Sequence, residues 1–218
     1  MEFELTRSRR RTIQLQIERD GSVNVRAPLH MPMFVIKHFV SAKEQWVTKH
    51  TTKASLVNKQ KLQFANGSML PYLGGNYPIR MTENTRLKVQ FNDAFMIPQL
   101  SESQAKLLIT GWYKQQALHF LKNRLDYFVQ VTGTGYSQFL ISNAGTRWGS
   151  CTRDGKIRLN WRLMCTPGHI VDYVVVHELS HRIHFSHSRP FWKAVESVLP
   201  DYRVSKLWCK TNWHILYL

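Results

Sequence analysis

From Thr12 to Ala27 the apolar residues Ile13, Leu15 and Ile17, then Val23, Val25 and Ala27, alternate with polar ones on either side of Asp20-Gly21. Alternation puts the apolar side chains on one face of a strand, so the stretch predicts a two-stranded hairpin. After Pro32 the spacing turns helical. Val35, Ile36, Phe39, Val40, Trp46 and Val47 recur at threes and fours and predict one helix ending near Lys49. Apolar runs between Leu62 and Ile97, including Leu87, are broken by Asn66-Gly67, Gly74-Gly75 and Asn92-Asp93 and predict a small antiparallel sheet.

Ser101 followed by Gln104 is a capping-box signature. It opens a long helix to about Gln130, with Leu108, Trp112, Leu118, Leu121, Leu125 and Phe128 near one face. In Lys156 to Met164, Ile157, Leu159, Trp161 and Leu163 alternate with Arg158, Asn160 and Arg162, which predicts a strand with two distinct faces. Thr166 and Pro167 supply an N-cap and an N1 proline for the segment Gly168 to His184. Its run Val174-Val175-Val176 favours a strand by propensity, but the histidine spacing described below decides for a helix.

Composition narrows the class. At about 150 residues per domain, 218 residues make one compact domain or a catalytic domain with an appendage, and 43% hydrophobic with 20% charged residues excludes a disordered or collagen-like chain. Thirty Lys and Arg against 14 Asp and Glu leave +16, a field that favours anionic partners. The three cysteines, Cys151, Cys165 and Cys209, form no C-x-x-C pair, which argues against a disulfide framework and fits a reducing compartment. No apolar leader opens the sequence and no run reaches the ~18 residues of a membrane span, so a cytoplasmic location without membrane contact is expected.

The chemistry concentrates in His177-Glu178-Leu179-Ser180-His181, an H-E-x-x-H motif. On a helix it sets two imidazoles one turn apart on one stripe, where both reach a single ion, with Glu178 beside the water that ion activates. Zinc as a Lewis acid makes such water acidic near neutrality, and Glu178 accepts its proton and passes it to the leaving amine. A third ligand is needed. His184 would lie about 10.5 Å along the axis from His177 if the helix continued, whereas a helix ending after His181 lets the chain turn near Ser186 and return His187 to the ion. His187 is favoured, and Glu196 is the fallback on the following helix, which Ser188 and Pro190 begin. Cys151 reads as a small buried residue rather than a nucleophile.

The segments Arg147-Trp148-Gly149-Ser150-Cys151, Arg158 to Leu163, Tyr173 to His181, His187-Ser188 and Phe191-Trp192, with Arg10 to Ala27 and Leu70 to Gly74 upstream, together resemble the YgjP-like metallopeptidase domain family. Where the family pattern has asparagine before the third histidine this chain has Ser186, and His184 is an additional imidazole. The resemblance implies an α+β fold: an N-terminal antiparallel β-rich part with helices over 1–100, and a zincin-like (minigluzincin-type) catalytic unit over 101–218, in one continuous domain. It implies zinc on His177, His181 and His187 with Glu178 as base. It also implies an extended peptide substrate paired to a strand beside the active helix, for which Ile157 to Leu163 is the candidate.

A relative's label as a UTP pyrophosphatase keeps a second reaction open. Arg147, Arg158 and Arg162 could grip a triphosphate or stabilise an oxyanion, while Trp148 and Trp161 could stack a base and Asn160 could touch substrate. A third class is a basic nucleic-acid-associated protein, although no nucleic-acid-binding motif is visible. The leading expectation is a zinc metallopeptidase.

Overall fold

The alternation of Val23, Val25 and Ala27 gives β3 (Val23–Pro28) one buried face, with Arg26 on the exposed side. The computed structural model describes residues 2–17, 22–48, 51, 62–83 and 88–217; the Asp20-Gly21 turn, the helix end expected at Lys49, and Leu87 lie outside them. β2 (Gln14–Ile17) runs antiparallel to β3 with Leu15 opposite Val25, the pairing expected of the hairpin. On the other edge of β3, β1 (Glu4–Ser8) runs parallel with Leu5 opposite Val25, so this sheet, ordered β1-β3-β2, is mixed rather than antiparallel. Leu5 stands alone among Glu4, Thr6, Arg7 and Ser8, too little alternation to mark a strand. The unpaired edge of β3 recruits it.

α1 (Met33–Ser41) lays Ile36 and Val40 against Val25 and Ala27. It does not run on to Lys49 as one helix. The N–H groups of Ala42 and Lys43 close onto His38 and Val40, and helical residues resume only over 44–48. No apolar residue beyond Ala42 lies between Val40 and Trp46, so no buried stripe carries the helix through.

Two units divide the chain, Met1–Lys61 and Leu62–Leu218. The strands after residue 61 share a core with the helices that follow: Leu70, Ile79, Phe95 and Ile97 are fully buried in one cluster with Ile109, Tyr113 and Leu121. β4 (Met69–Tyr72), β5 (Gly75–Thr82), β6 (Gln90–Phe91) and β7 (Phe95–Pro98) form a sheet ordered β4-β5-β7-β6. The β4–β5 and β6–β7 pairs are antiparallel, but β7 enters between β5 and β6 and runs parallel to β5, again a mixed sheet.

α2 (Glu102–Thr132) begins where the capping box places it, with the Ser101 N–H donating to the Gln104 side chain at 3.2 Å. Its buried stripe is Ala105, Ile109, Tyr113, Ala117, Leu121, Leu125 and Phe128, and Leu118 is 47% exposed. β8 (Gln138–Ser142), β9 (Gly149–Cys151) and β10 (Lys156–Asn160) make a third sheet ordered β8-β10-β9. The expected strand to Met164 stops at Asn160. The Asn160 side chain accepts from the Arg162 N–H and caps a 3-10 turn, Trp161–Cys165, that is buried throughout. β10 pairs on both sides and has no free edge; the edge strands are β8 and β9.

α3 (Gly168–Ser180) is helical across its valine run because it is surrounded: Ile170, Val171, Tyr173, Val174, Val175, Val176 and Leu179 are all buried. A helix buried on every side carries no polar stripe to reveal its period. Pro167 rather than Thr166 is its N-cap, and the Thr166 hydroxyl instead donates to the Leu163 carbonyl at 2.8 Å. α4 (Arg189–Val198), α5 (Tyr202–Thr211) and a 3-10 turn, Trp213–Tyr217, complete the chain. Among the described residues no helix is long and apolar enough to cross a membrane.

Candidate metal centre

α3 delivers His177 and Glu178 from its last turn and ends with His181 at its C-cap. The chain then tightens, with the Arg182 N–H donating to Leu179 and the Ile183 and His184 N–H groups both donating to Ser180. It returns at Ser188, the N-cap of α4, with Pro190 in the first turn. The result is the convergence expected of a helix that stops after His181. His177, His181 and His187 each offer a nitrogen, all within 4.8 Å of one another. His187 Nε2 lies 3.0 Å from His177 Nε2. Nitrogens bound at about 2.0–2.1 Å around a tetrahedral ion sit roughly 3.3 Å apart, so this donor set fits one ion.

Aromatic packing fixes the rings. Phe191 is fully buried, with its centroid 4.6–5.0 Å from all three imidazoles. Trp192 stacks on His187 at 5.6 Å and 21°, and its indole N–H donates to the His187 carbonyl at 3.1 Å. His181 Nδ1 lies 3.1 Å from the His184 carbonyl, a partner that reserves the other ring nitrogen for an ion. Burial lowers the pKa of His177 to about 3, with His181, His187 and Lys206 adding to the effect, and burial lowers His181 as well. Neutral imidazole is the form that offers a lone pair. His177 Nδ1 is buried and has no partner.

Glu178 is 5% exposed and lies against β9, where a β-carbon on Gly149 would stand 2.6 Å from its Oε1. The missing side chain at Gly149 makes the carboxyl's room. Burial raises the Glu178 pKa to about 8, opposed by the Arg147 guanidinium. Burial, then the Glu178 charge, push the half-buried Cys151 thiol up, which is inert behaviour for a cysteine.

The other expected contacts divide. Arg147 is exposed and within electrostatic reach of Glu178. Trp148 is half-buried, packed on Trp208 and bonded to the Cys209 carbonyl at 3.3 Å. Asn160 is fully buried, with its amide donating to the Ala144 and Arg147 carbonyls, and so holds the loop that carries Arg147. Arg162 is 8% exposed, donates to Asn143 and lies over the Trp161 ring. Through these bonds Asn160 and Arg162 hold the loop over residues 143–147. His184 contributes its carbonyl, and Glu196 pairs with Arg203 at 3.2 Å; neither belongs to the converging group.

A model of the YgjP-like metallopeptidase domain matches residues 11–212. The chain belongs to the YgjP-like metallopeptidase family. No curated protein matches it. Among solved structures it is similar to the crystal structure of the metallopeptidase zymogen of Pyrococcus abyssi abylysin, at 20% identity and a TM-score of 0.40, over 43% of this chain and 94% of that one. Family membership implies a metal ion, and the three histidines are a group able to hold one.

Residues without an assigned role in the sequence support this YgjP-like centre. Arg182, just past the metal helix, donates to the carbonyls of Gly135 at 3.2 Å and Arg153 at 3.0 Å, tying the turn after β9 to the end of α3. Gly155 permits this, since its φ is +87° and a β-carbon there would stand 2.9 Å from the Arg182 guanidinium carbon. Gly155→Ala is expected to destabilise the protein by about 1–3 kcal/mol, read as a lower denaturant midpoint at unchanged slope. An unshifted midpoint would refute the clamp.

Proposed function

We propose that this chain is a zinc-dependent peptidase of the HExxH type, with a zincin-like catalytic unit, in which His177, His181 and His187 hold the ion and Glu178 is the general base. The observation that carries this reading is the convergence of three imidazoles beside a buried carboxyl that presses on an edge strand. The bound ion supplies Lewis acidity, polarising the scissile carbonyl and making water acidic near neutral pH.

The chain's own residues do the rest. Glu178 takes the proton from the attacking water as its oxygen bonds to the carbonyl carbon, then gives that proton to the amide nitrogen as the C–N bond breaks. Exposed Arg147 is the residue suited to steady negative charge on the former carbonyl oxygen. The substrate strand is assigned to β9 rather than β10. β9 pairs with β10 through Trp148 and Ser150, so in an antiparallel ladder the polar groups of Gly149 and Cys151 face the open side. An extended peptide added there would lie across Glu178.

Metal analysis together with a substrate screen tests this. The purified protein is expected to hold one zinc per chain, to cleave peptides, and to lose cleavage with a chelator and regain it with zinc. Pyrophosphate release from UTP without peptide cleavage would replace the peptidase reading by the nucleotide one. Salt-sensitive nucleic-acid retention without either activity would support the third class.

A further inference from the structure

We propose that Lys206 is a specificity-determining residue that makes this enzyme favour peptides carrying a carboxylate, as an acidic side chain or a free C-terminus, close to the scissile bond. The proposal rests on the peptidase reading above and names the substrate class of the same site.

Lys206 lies on α5, and its ammonium stands 3.6 Å from the centroid of the Trp192 ring. Trp192 stacks on His187 at 5.6 Å and 21° and on Tyr202 at 5.3 Å and 14°. The charge is thus one indole away from the third imidazole. Lysine is ordinarily a mobile point charge, but a cation held over an indole has a preferred place.

Among the described residues no carboxylate pairs with that charge: the ion pairs are Lys122–Asp126, Arg124–Asp172, Lys156–Asp154 and Arg203–Glu196, and Lys206 is in none of them. Lys206 is exposed, so an anion brought by the substrate can reach it. An acidic group on the substrate gains an ion pair at a preorganised cation; a basic one meets repulsion from Lys206 and from the chain's +16.

The test uses the full chain, zinc-loaded, with a cleaved peptide remade with Glu, Gln or Lys on either side of the scissile bond, and with a free or amidated C-terminus. Binding of the same peptides, fluorescein-labelled, to the Glu178→Gln protein is read by anisotropy. Wild type is expected to favour Glu over Gln, or free acid over amide, by about fivefold in kcat/KM and in affinity. The two substitutions of the peptide distinguish a side-chain carboxylate from a terminal one. In Lys206→Gln the ratio falls to near one, and in Lys206→Glu the Lys peptide becomes the better ligand. A merely structural Lys206 would weaken all peptides alike and leave the ratios unchanged, which overturns the proposal. Cleavage without acidic preference overturns this inference alone. Acidic preference in binding that Lys206→Gln removes, with no cleavage of any peptide, upholds the carboxylate site and overturns the peptidase reading.

Discussion

Glu178→Gln is expected to lower kcat for peptide hydrolysis by about 10²–10⁴-fold while the protein keeps its metal. The amide has the volume of the carboxyl and fits the room left by Gly149, so packing against β9 is preserved. What it lacks is a site that accepts a proton from water and returns it to the leaving nitrogen. Glu178 is outside the group of three converging nitrogens, so metal content should not follow activity. Single-turnover kinetics with parallel metal analysis reads both. Retained turnover would remove Glu178 from the mechanism, and lost metal would make it a structural support of the centre.

The same substitution has a second expected result in the metal-stripped protein: greater stability at pH 8, and little change at pH 4. Burial moves the Glu178 carboxyl from its ordinary 4.5 up to about 8. Below pH 4.5 it is neutral both folded and unfolded and costs nothing. Between 4.5 and 8 the unfolded chain releases the proton and the folded chain holds it, so stability falls as pH rises, by an order of a few kcal/mol. Glutamine removes this slope. His177 acts with opposite sign, since burial lowers it from 6.5 to about 3 and stability is lost as pH falls through that window. Denaturation of the stripped proteins across pH should leave the Gln variant with the acid-side loss alone.

The centre was more legible in the sequence than the frame around it, and the reason is locality. His177, Glu178 and His181 occupy one turn of helix, so spacing alone places them together, and Ser188 with Pro190 marks the helix start that returns His187. Gly149 was visible only as a letter in a motif, because its role depends on β9 reaching α3 across the fold. The expected stripe of α2 counted Leu118 and passed over Ala105, Tyr113 and Ala117. Apolar size is a weaker guide than the four-residue repeat, and Tyr113 is buried because its hydroxyl finds the Pro71 carbonyl at 2.6 Å. The mixed character of the first two of the three mixed sheets was missed for one reason: β1 and β7 pair in parallel with strands that are not their neighbours in sequence, and alternation carries no information on partner or direction. Lys206 gave no signal at all, since its place over Trp192 exists only once α4 and α5 have packed.

His187→Ala is expected to weaken zinc binding by more than 100-fold, and His184→Ala by no more than about threefold, because only the first removes a donor. The contrast is sharp because the two histidines are three residues apart and both lie near the end of α3. His184 reaches the centre through its backbone carbonyl, against His181 Nδ1, and alanine keeps that carbonyl. His187 brings its own nitrogen to within 3.0 Å of His177 from the start of a different helix. An ion on all three therefore joins the end of α3 to the head of α4. Zinc at 100 times its dissociation constant should stabilise the wild type by about 2.7 kcal/mol, and the same concentration should do almost nothing for His187→Ala. Competition against a chromophoric chelator gives the affinities, and melting with and without zinc gives the linkage. If His184→Ala lost zinc as His187→Ala is expected to, the third donor would be His184, and the turn that follows α3 would have to rearrange to deliver it.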